Sequence, residues 1–77
     1  MQITSVNEVK GRGLEIGVRL ETVKSSAVEV GIYLHQGTQC WQVTGISGRS
    51  GDLKNMGLRI TPLKEMQNPP KFGKIEL

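Results

Sequence analysis

Two runs of strictly alternating apolar residues dominate this chain. They are Leu14, Ile16, Val18 and Leu20 in the first run and Val28, Val30, Ile32 and Leu34 in the second. A period of two places apolar side chains on one face of a strand and polar side chains on the other. Because a strand with one dry and one wet face is typical of an antiparallel sheet, the pattern predicts a mostly-β domain.

Glycine, proline and polar clusters divide the chain into six predicted strands. Their ranges are 2–9, 14–23, 28–35, 39–46, 56–60 and 72–77. The last strand is predicted to point Ile75 and Leu77 inward. Six short strands with frequent turn signals predict a small antiparallel barrel, closed or partly open, with a sandwich as the alternative. The barrel is favoured because closure removes the exposed edges of aliphatic strands.

The predicted turns depend on residues that tolerate unusual backbone angles or end a ladder. Two glycines in the segment 10–13 supply positive φ angles at low cost. Gln36-Gly37 predicts a tight hairpin connection, and Gly45 predicts a bulge in the fourth strand. Residues 47–55 predict one long polar loop, and Pro62 ends the fifth strand because proline has no backbone N–H to donate.

Length and cysteine content limit the kind of protein. A chain of 77 residues fits one domain, 1–77, with a thin core. Because so small a domain is often marginally stable alone, a protein partner or a homodimer is expected. The single cysteine, Cys40, leaves no internal disulfide and suits a reducing compartment. No run approaches the ~20 apolar residues of a membrane helix, so we expect a cytoplasmic protein without membrane contact.

Positive charge is concentrated in the C-terminal part of the chain. The formal net charge is +3, and the excess of basic residues falls entirely after Ile46. A mild basic face is compatible with nucleic-acid binding, although it also occurs on many small soluble domains. The predicted nucleic-acid contacts are Arg49, Lys54 and Arg59, supported by Lys71 and Lys74.

The order of several short motifs is also informative. In chain order they are Gly11-Arg12-Gly13, a strand with Arg19 and Glu21, Val28-Glu29-Val30-Gly31, Met56-Gly57-Leu58-Arg59-Ile60 and Phe72-Gly73-Lys74-Ile75. This order resembles the second, β-barrel domain of elongation-factor-Tu-type translational GTPases. The chain has no G-x-x-x-x-G-K-[ST] loop, so the resemblance does not include the GTPase domain. It implies a barrel of that type and, because that barrel contacts tRNA or ribosomal RNA, binding to RNA or a ribonucleoprotein.

A catalytic or metal site would need the single histidine, His35, and Cys40. A Cys–His pair would form if Cys40 lay across the hairpin from His35. If Gln36-Gly37 is a two-residue loop, however, His35 pairs with Thr38 and Cys40 faces Tyr33. One histidine and one cysteine do not fill the four positions of a structural zinc site. We therefore interpret His35 as a surface residue, and we expect no enzyme activity, no metal and no cofactor.

Trp41 has two interpretations. In a chain with one tryptophan, one tyrosine and one phenylalanine, a tryptophan that alternates with Val43 is expected to anchor the core. Its alternative role is a stacking platform for a nucleobase. Because single-stranded binders usually place several aromatic residues on one face, we favour the core.

The sequence thus predicts a non-enzymatic binding module, with RNA or a ribonucleoprotein as the first candidate partner. The alternative is a protein–protein adaptor or a homodimeric structural module with no nucleic-acid role.

Overall fold

The computed structural model describes residues 1–9, 11, 13–49, 54–64 and 67–77, with the side chain of Arg49 left out. It contains six β-strands and one short 3-10 helix at Ser25–Ala27. The strands, numbered β1 to β6 in chain order, are Gln2–Val9, Gly13–Arg19, Tyr33–Gln36, Gln39–Arg49, Asn55–Pro62 and Gly73–Lys74. No helix in the described part of the chain has the length and apolar character needed to cross a bilayer.

All six strands belong to one antiparallel sheet with the order β3-β4-β5-β2-β1-β6. Beyond β6 the chain reaches back to β3. The His35 N–H donates to the Glu76 carbonyl at 2.6 Å, and the Glu76 N–H donates to the His35 carbonyl at 2.9 Å. This bridge joins the two edges of the sheet, so the prediction of a six-stranded antiparallel barrel is confirmed.

Among the described residues, the barrel interior is apolar and contains a single aromatic side chain, that of Trp41. Trp41 is completely buried, which confirms its predicted place in the core. The other buried apolar residues are Met1, Ile3, Ile16, Val18, Leu20, Val28, Leu34, Val43, Met56, Leu58, Ile60 and Ile75. Because β2 and β5 point alternate residues inward, their polar residues and glycines form part of the outer surface.

The prediction of a third strand over 28–35 is wrong, since β3 covers only Tyr33–Gln36. Gly31 has a φ of +102°, and this turn interrupts the alternation. Val28 is buried, whereas Val30 is 62% exposed. The second strand also ends at Arg19 rather than at residue 23, because Glu21 takes a positive φ of 56° in a following turn. Backbone turns override a strong alternating pattern at both places.

Irregular pairing marks β4. Its register against β5 shifts between Val43 and Gly45, which confirms the predicted bulge, and shifts again between Ile46 and Gly48. The predicted loop over 47–55 is wrong in extent because β4 continues to residue 49 and β5 begins at residue 55. The centre of that loop, 50–53, lies outside the described residues.

The ends of β3, β5 and β6 differ in how well they were predicted. Pro62 is the last residue of β5, as expected. The loop of the β3–β4 hairpin is 37–38 rather than 36–37, so His35 pairs with Cys40. Ile75 is fully buried as predicted, but Leu77 is 45% exposed, so its inward position was wrong. Leu77 follows Glu76, where pairing with β3 ends.

Candidate nucleic-acid interface

Three glycines lie in one row across the outer face of β2, β5 and β4. Gly17 pairs with Gly57, and Gly57 pairs with Gly48. The residues on either side of Gly17 and of Gly57 are buried, so these two positions face outward. The missing side chains leave a shallow groove of about 370 Å³, which Thr4 and Asn55 also line. We call this feature the glycine groove.

Serine hydroxyls occupy the space that side chains would take at two of these glycines. The Gly17 N–H donates to Ser5 Oγ at 3.1 Å. A Cβ atom at position 17 would lie 2.6 Å from that oxygen, and one at Gly57 would collide with Ser47 Oγ. By contrast, a Cβ atom at Gly48 would meet nothing within 4 Å. The groove therefore has a backbone floor edged by hydroxyl groups and is open at Gly48.

Arg59 lies beside the glycine groove, on one side of the row of glycines. It lies two residues beyond Gly57 on the same face of β5, opposite Glu15. Its Nη2 atom is 3.5 Å from Glu15 Oε1, and the two side chains are 39% and 34% exposed. An ion pair this long and this exposed is weak. Arg59 Nε is buried and has no hydrogen-bond partner among the described residues, so a ligand would reach the guanidinium only through its Nη groups.

Two more cations lie on the other side of the row of glycines. Arg19 pairs with Asn55 across β2 and β5, and Lys54 precedes Asn55 in the chain. Both cationic residues are exposed. The Lys54 carbonyl accepts a hydrogen bond from the Leu20 N–H at 2.7 Å, which fixes the start of β5 against the end of β2. Cations thus stand on both sides of the glycine groove.

Only part of the predicted basic surface lies at this groove. Arg59 and Lys54 belong to it. The backbone of Arg49 pairs with Met56 beside it, and the Arg49 side chain lies outside the described part of the structure.

The remaining two predicted contacts, Lys71 and Lys74, lie elsewhere. The strand β6, which carries Lys74, is separated from β5 by β2 and β1 in one direction and by β4 and β3 in the other. Lys71 and Lys74 are exposed there. The five predicted residues therefore belong to two different sides of the barrel.

Sequence reasoning missed Arg19 and the three glycines of the groove. The signal was present: Gly17 and Gly57 occupy outward positions in strands whose inward positions are large and apolar. A glycine inside a strand weakens it and often marks close approach by a ligand or another backbone. The register that places the two glycines side by side was not predictable, because it depends on which strands become neighbours.

The hairpin places His35 directly opposite Cys40. The backbone groups of His35 bond to Glu76, so His35 and Cys40 form a non-hydrogen-bonded pair, in which side chains lie closer together. Of the two alternatives left by the sequence, this is the one that pairs them. Among the described residues, no three His, Cys, Asp or Glu side chains are grouped so that they could hold a metal ion.

Comparisons of the chain with models of protein families, with curated proteins and with solved structures found no match. The functional interpretation consequently depends on the residues and the geometry described above.

Proposed function

We propose that this protein is a non-enzymatic module that binds single-stranded RNA through the glycine groove. The observation that carries this proposal is a backbone-floored groove with cations on both sides of it. Arg59 stands on one side, and Arg19 and Lys54 stand on the other. RNA, free or within a ribonucleoprotein, is an anionic polymer whose phosphates suit such a surface.

The shape of the groove supports a chain-like ligand. Because Gly17, Gly57 and Gly48 lack side chains, a polymer backbone can approach the sheet closely. Hydroxyl groups donate to phosphate oxygens, and the hydroxyls of Thr4 and Ser5 border the groove. Arginine adds charge-assisted bonds to the same oxygens.

Contacts of this kind determine position and carry little sequence information. A groove with three described cations neutralises about three phosphates at most, so the log–log slope of affinity against salt is about −2 on a single strand. Binding is accordingly weak and only slightly selective for sequence.

The resemblance to the second domain of elongation-factor-Tu-type GTPases supports the same proposal. The barrel of those factors contacts tRNA or ribosomal RNA, and the segment 56–60, which carries part of the resemblance, lies on β5 and includes Gly57 and Arg59. We propose that this chain is a module of that type, acting in a ribonucleoprotein.

The test compares two charge-matched double variants over a salt series with an oligouridylate probe. Arg19→Gln/Arg59→Gln removes a cation from each side of the glycine groove, whereas Lys24→Gln/Lys64→Gln removes the same charge from residues outside β2 and β5. We expect the first variant to lower affinity several-fold at low salt and to flatten the slope by about 1.4, from about 0.7 for each phosphate contact. The control variant retains both affinity and slope.

Two results would contradict the proposal. If the two variants weaken binding equally, only net charge matters and the glycine groove is not the site. If the wild-type protein does not bind oligouridylate even at low salt, the RNA function is rejected.

The second candidate function is a protein–protein adaptor or a homodimer. It is favoured by the large apolar side chains that remain exposed, which are Val30, Tyr33, Leu63, Phe72 and Leu77. A molecular mass in solution that rises with protein concentration, without RNA binding, would support it in place of the first.

A further inference from the structure

A single glutamine holds the bend at Phe72 together with the short strand β6 that follows it. Gln36 Nε2 donates to the Lys71 carbonyl at 2.8 Å and to the Lys74 carbonyl at 3.0 Å. In return, Gln36 Oε1 accepts the Lys71 N–H at 2.7 Å. One side-chain amide therefore binds both ends of the segment 71–74, which we call the Gln36-held turn.

The Gln36-held turn is also fixed from its other side. Gly73 pairs with Ile3, and Lys74 pairs with Gln2 on β1. Gly73 has a φ of +108°, which a residue with a side chain rarely adopts. The backbone on both sides of Phe72 is thus held in place.

Phe72 itself points into solvent. It is 70% exposed, more than any other large apolar side chain in the described part of the chain. The fold buries Trp41 completely, whereas the Phe72 ring is exposed to water and is attached to a backbone that is held on both sides. A rigid exposed ring is suited to stacking against a flat partner.

The charges around Phe72 indicate the chemistry of that partner. Lys71 and Lys74 are exposed on either side of it. Lys74 Nζ lies 3.3 Å from Glu76 Oε1, but these side chains are 72% and 65% exposed. The ion pair is therefore weak, and Lys74 can leave Glu76 to bind another anion. A ring between two cations complements a flat base attached to phosphates.

We propose that Phe72 is a base-stacking residue for single-stranded RNA, with Lys71 and Lys74 contacting the phosphates on either side of the stacked base. This inference rests on the proposed RNA-binding function and adds a second contact to it. The glycine groove and the Gln36-held turn lie on different sides of the barrel, so a short oligonucleotide occupies one and a long strand reaches both.

The experiment separates stacking from charge by using two probes, oligouridylate and inorganic polyphosphate. Phe72→Ala is expected to lower oligouridylate affinity about tenfold, since stacking on one aromatic residue is worth that much or more. Polyphosphate has no base, so its affinity is expected to stay unchanged. Tyr33→Ala serves as the matched control because Tyr33 is also an exposed aromatic residue.

Two conservative variants distinguish a stacked ring from a merely apolar contact. Phe72→Leu keeps an apolar side chain but has no ring, and it is expected to behave like Phe72→Ala. Phe72→Trp is expected to retain affinity and to show tryptophan quenching by oligouridylate, since the native Trp41 is buried and does not contact the base.

The outcomes separate this inference from the proposed function. If Phe72→Ala binds oligouridylate like the wild type while Arg19→Gln/Arg59→Gln binds more weakly, the stacking role is overturned and the groove stands. If the wild type does not bind oligouridylate, both proposals fail. If Phe72→Leu retains full RNA affinity, the ring does not stack on a base and the stacking role is overturned. If Phe72→Ala leaves RNA affinity unchanged and instead abolishes self-association or binding to phosphatidylserine vesicles, the ring belongs to a protein or membrane contact.

Discussion

Two regions of the barrel are held together in different ways. In the long-strand region, formed by β1, β2, β5 and β4, pairing is extensive: β2 and β5 remain in register from Leu14↔Ile60 to Arg19↔Asn55. In the closing region, formed by β3, β6 and Glu76, β6 pairs with β1 at two positions, Ile75 exchanges hydrogen bonds with Met1, and Glu76 reaches β3 through one bridge. The side chain of Gln36 supplies three further hydrogen bonds there.

The two regions differ in what determines the shape of their outer surface. In the long-strand region, alternation assigns every residue to the core or to the outside, so an outward glycine such as Gly17 directly shapes the surface. In the closing region, few ladder bonds are present, and individual side chains determine the position of the backbone. The glycine groove belongs to the first region and the Gln36-held turn to the second.

The largest expected effect comes from the residue that joins the two regions. Trp41 lies between Leu34 of β3 and Pro62 of β5 in the sheet and is fully buried. Trp41→Ala is expected to lower the free energy of unfolding by about 3–5 kcal/mol. Denaturant unfolding measures this loss, and hydrogen exchange is expected to accelerate in both regions together.

Two observations would contradict this expectation. Tryptophan emission from the native wild-type protein that is red-shifted and readily quenched would place Trp41 in water. Exchange that accelerates only in β3 and β6 after the substitution would show that the regions unfold separately.

A smaller effect is expected at the glycine groove, where two glycines have opposite surroundings. Gly17→Ala displaces Ser5 Oγ and breaks its hydrogen bond with the residue 17 N–H, so a loss of about 1–2 kcal/mol is expected. Gly48→Ala meets nothing within 4 Å and is expected to be neutral or to stabilise by about 0.5–1 kcal/mol. Denaturant midpoints of the two variants compare these effects.

Ser5→Ala provides the control for the glycine comparison. It removes the hydroxyl that blocks position 17. The double variant Ser5→Ala/Gly17→Ala is therefore expected to lose less free energy of unfolding than the two single variants lose together. Equal stability of the Gly17→Ala and Gly48→Ala variants would mean that the Ser5 hydroxyl tolerates a side chain at position 17, which would contradict the expectation.

The same two regions show how far the sequence determines the fold. Alternation correctly predicted that Ile16, Val18, Leu58 and Ile60 are buried, because period two is a local property of a strand. It failed at Val30, where a turn at Gly31 ends the pattern. A positive φ at Gly31 is permitted by the sequence but not required by it.

The candidate site was predictable in its chemistry and not in its arrangement. The basic residues after Ile46 were identified from charge alone. Their division between two sides of the barrel depends on β1 pairing with both β2 and β6, which is a long-range choice with no local signal. The three hydrogen bonds of Gln36 were missed for the same reason, since residues 36 and 71 meet only after the barrel closes.

The smallest expected effect is the most localised and tests the closing region directly. Gln36→Ala removes three exposed hydrogen bonds, whose carbonyl and N–H partners can turn to water, so a loss of about 1 kcal/mol is expected. Gln42→Ala is the matched control, because Gln42 makes a single 3.3 Å bond to the Gly31 carbonyl. Hydrogen exchange is expected to accelerate at residues 73–76 in the first variant and to stay unchanged there in the second.

Acceleration that is equal in the two variants, or that extends through β2 and β5, would show that the Gln36 amide is not what holds the turn. It would then follow that β1 pairing alone positions Phe72.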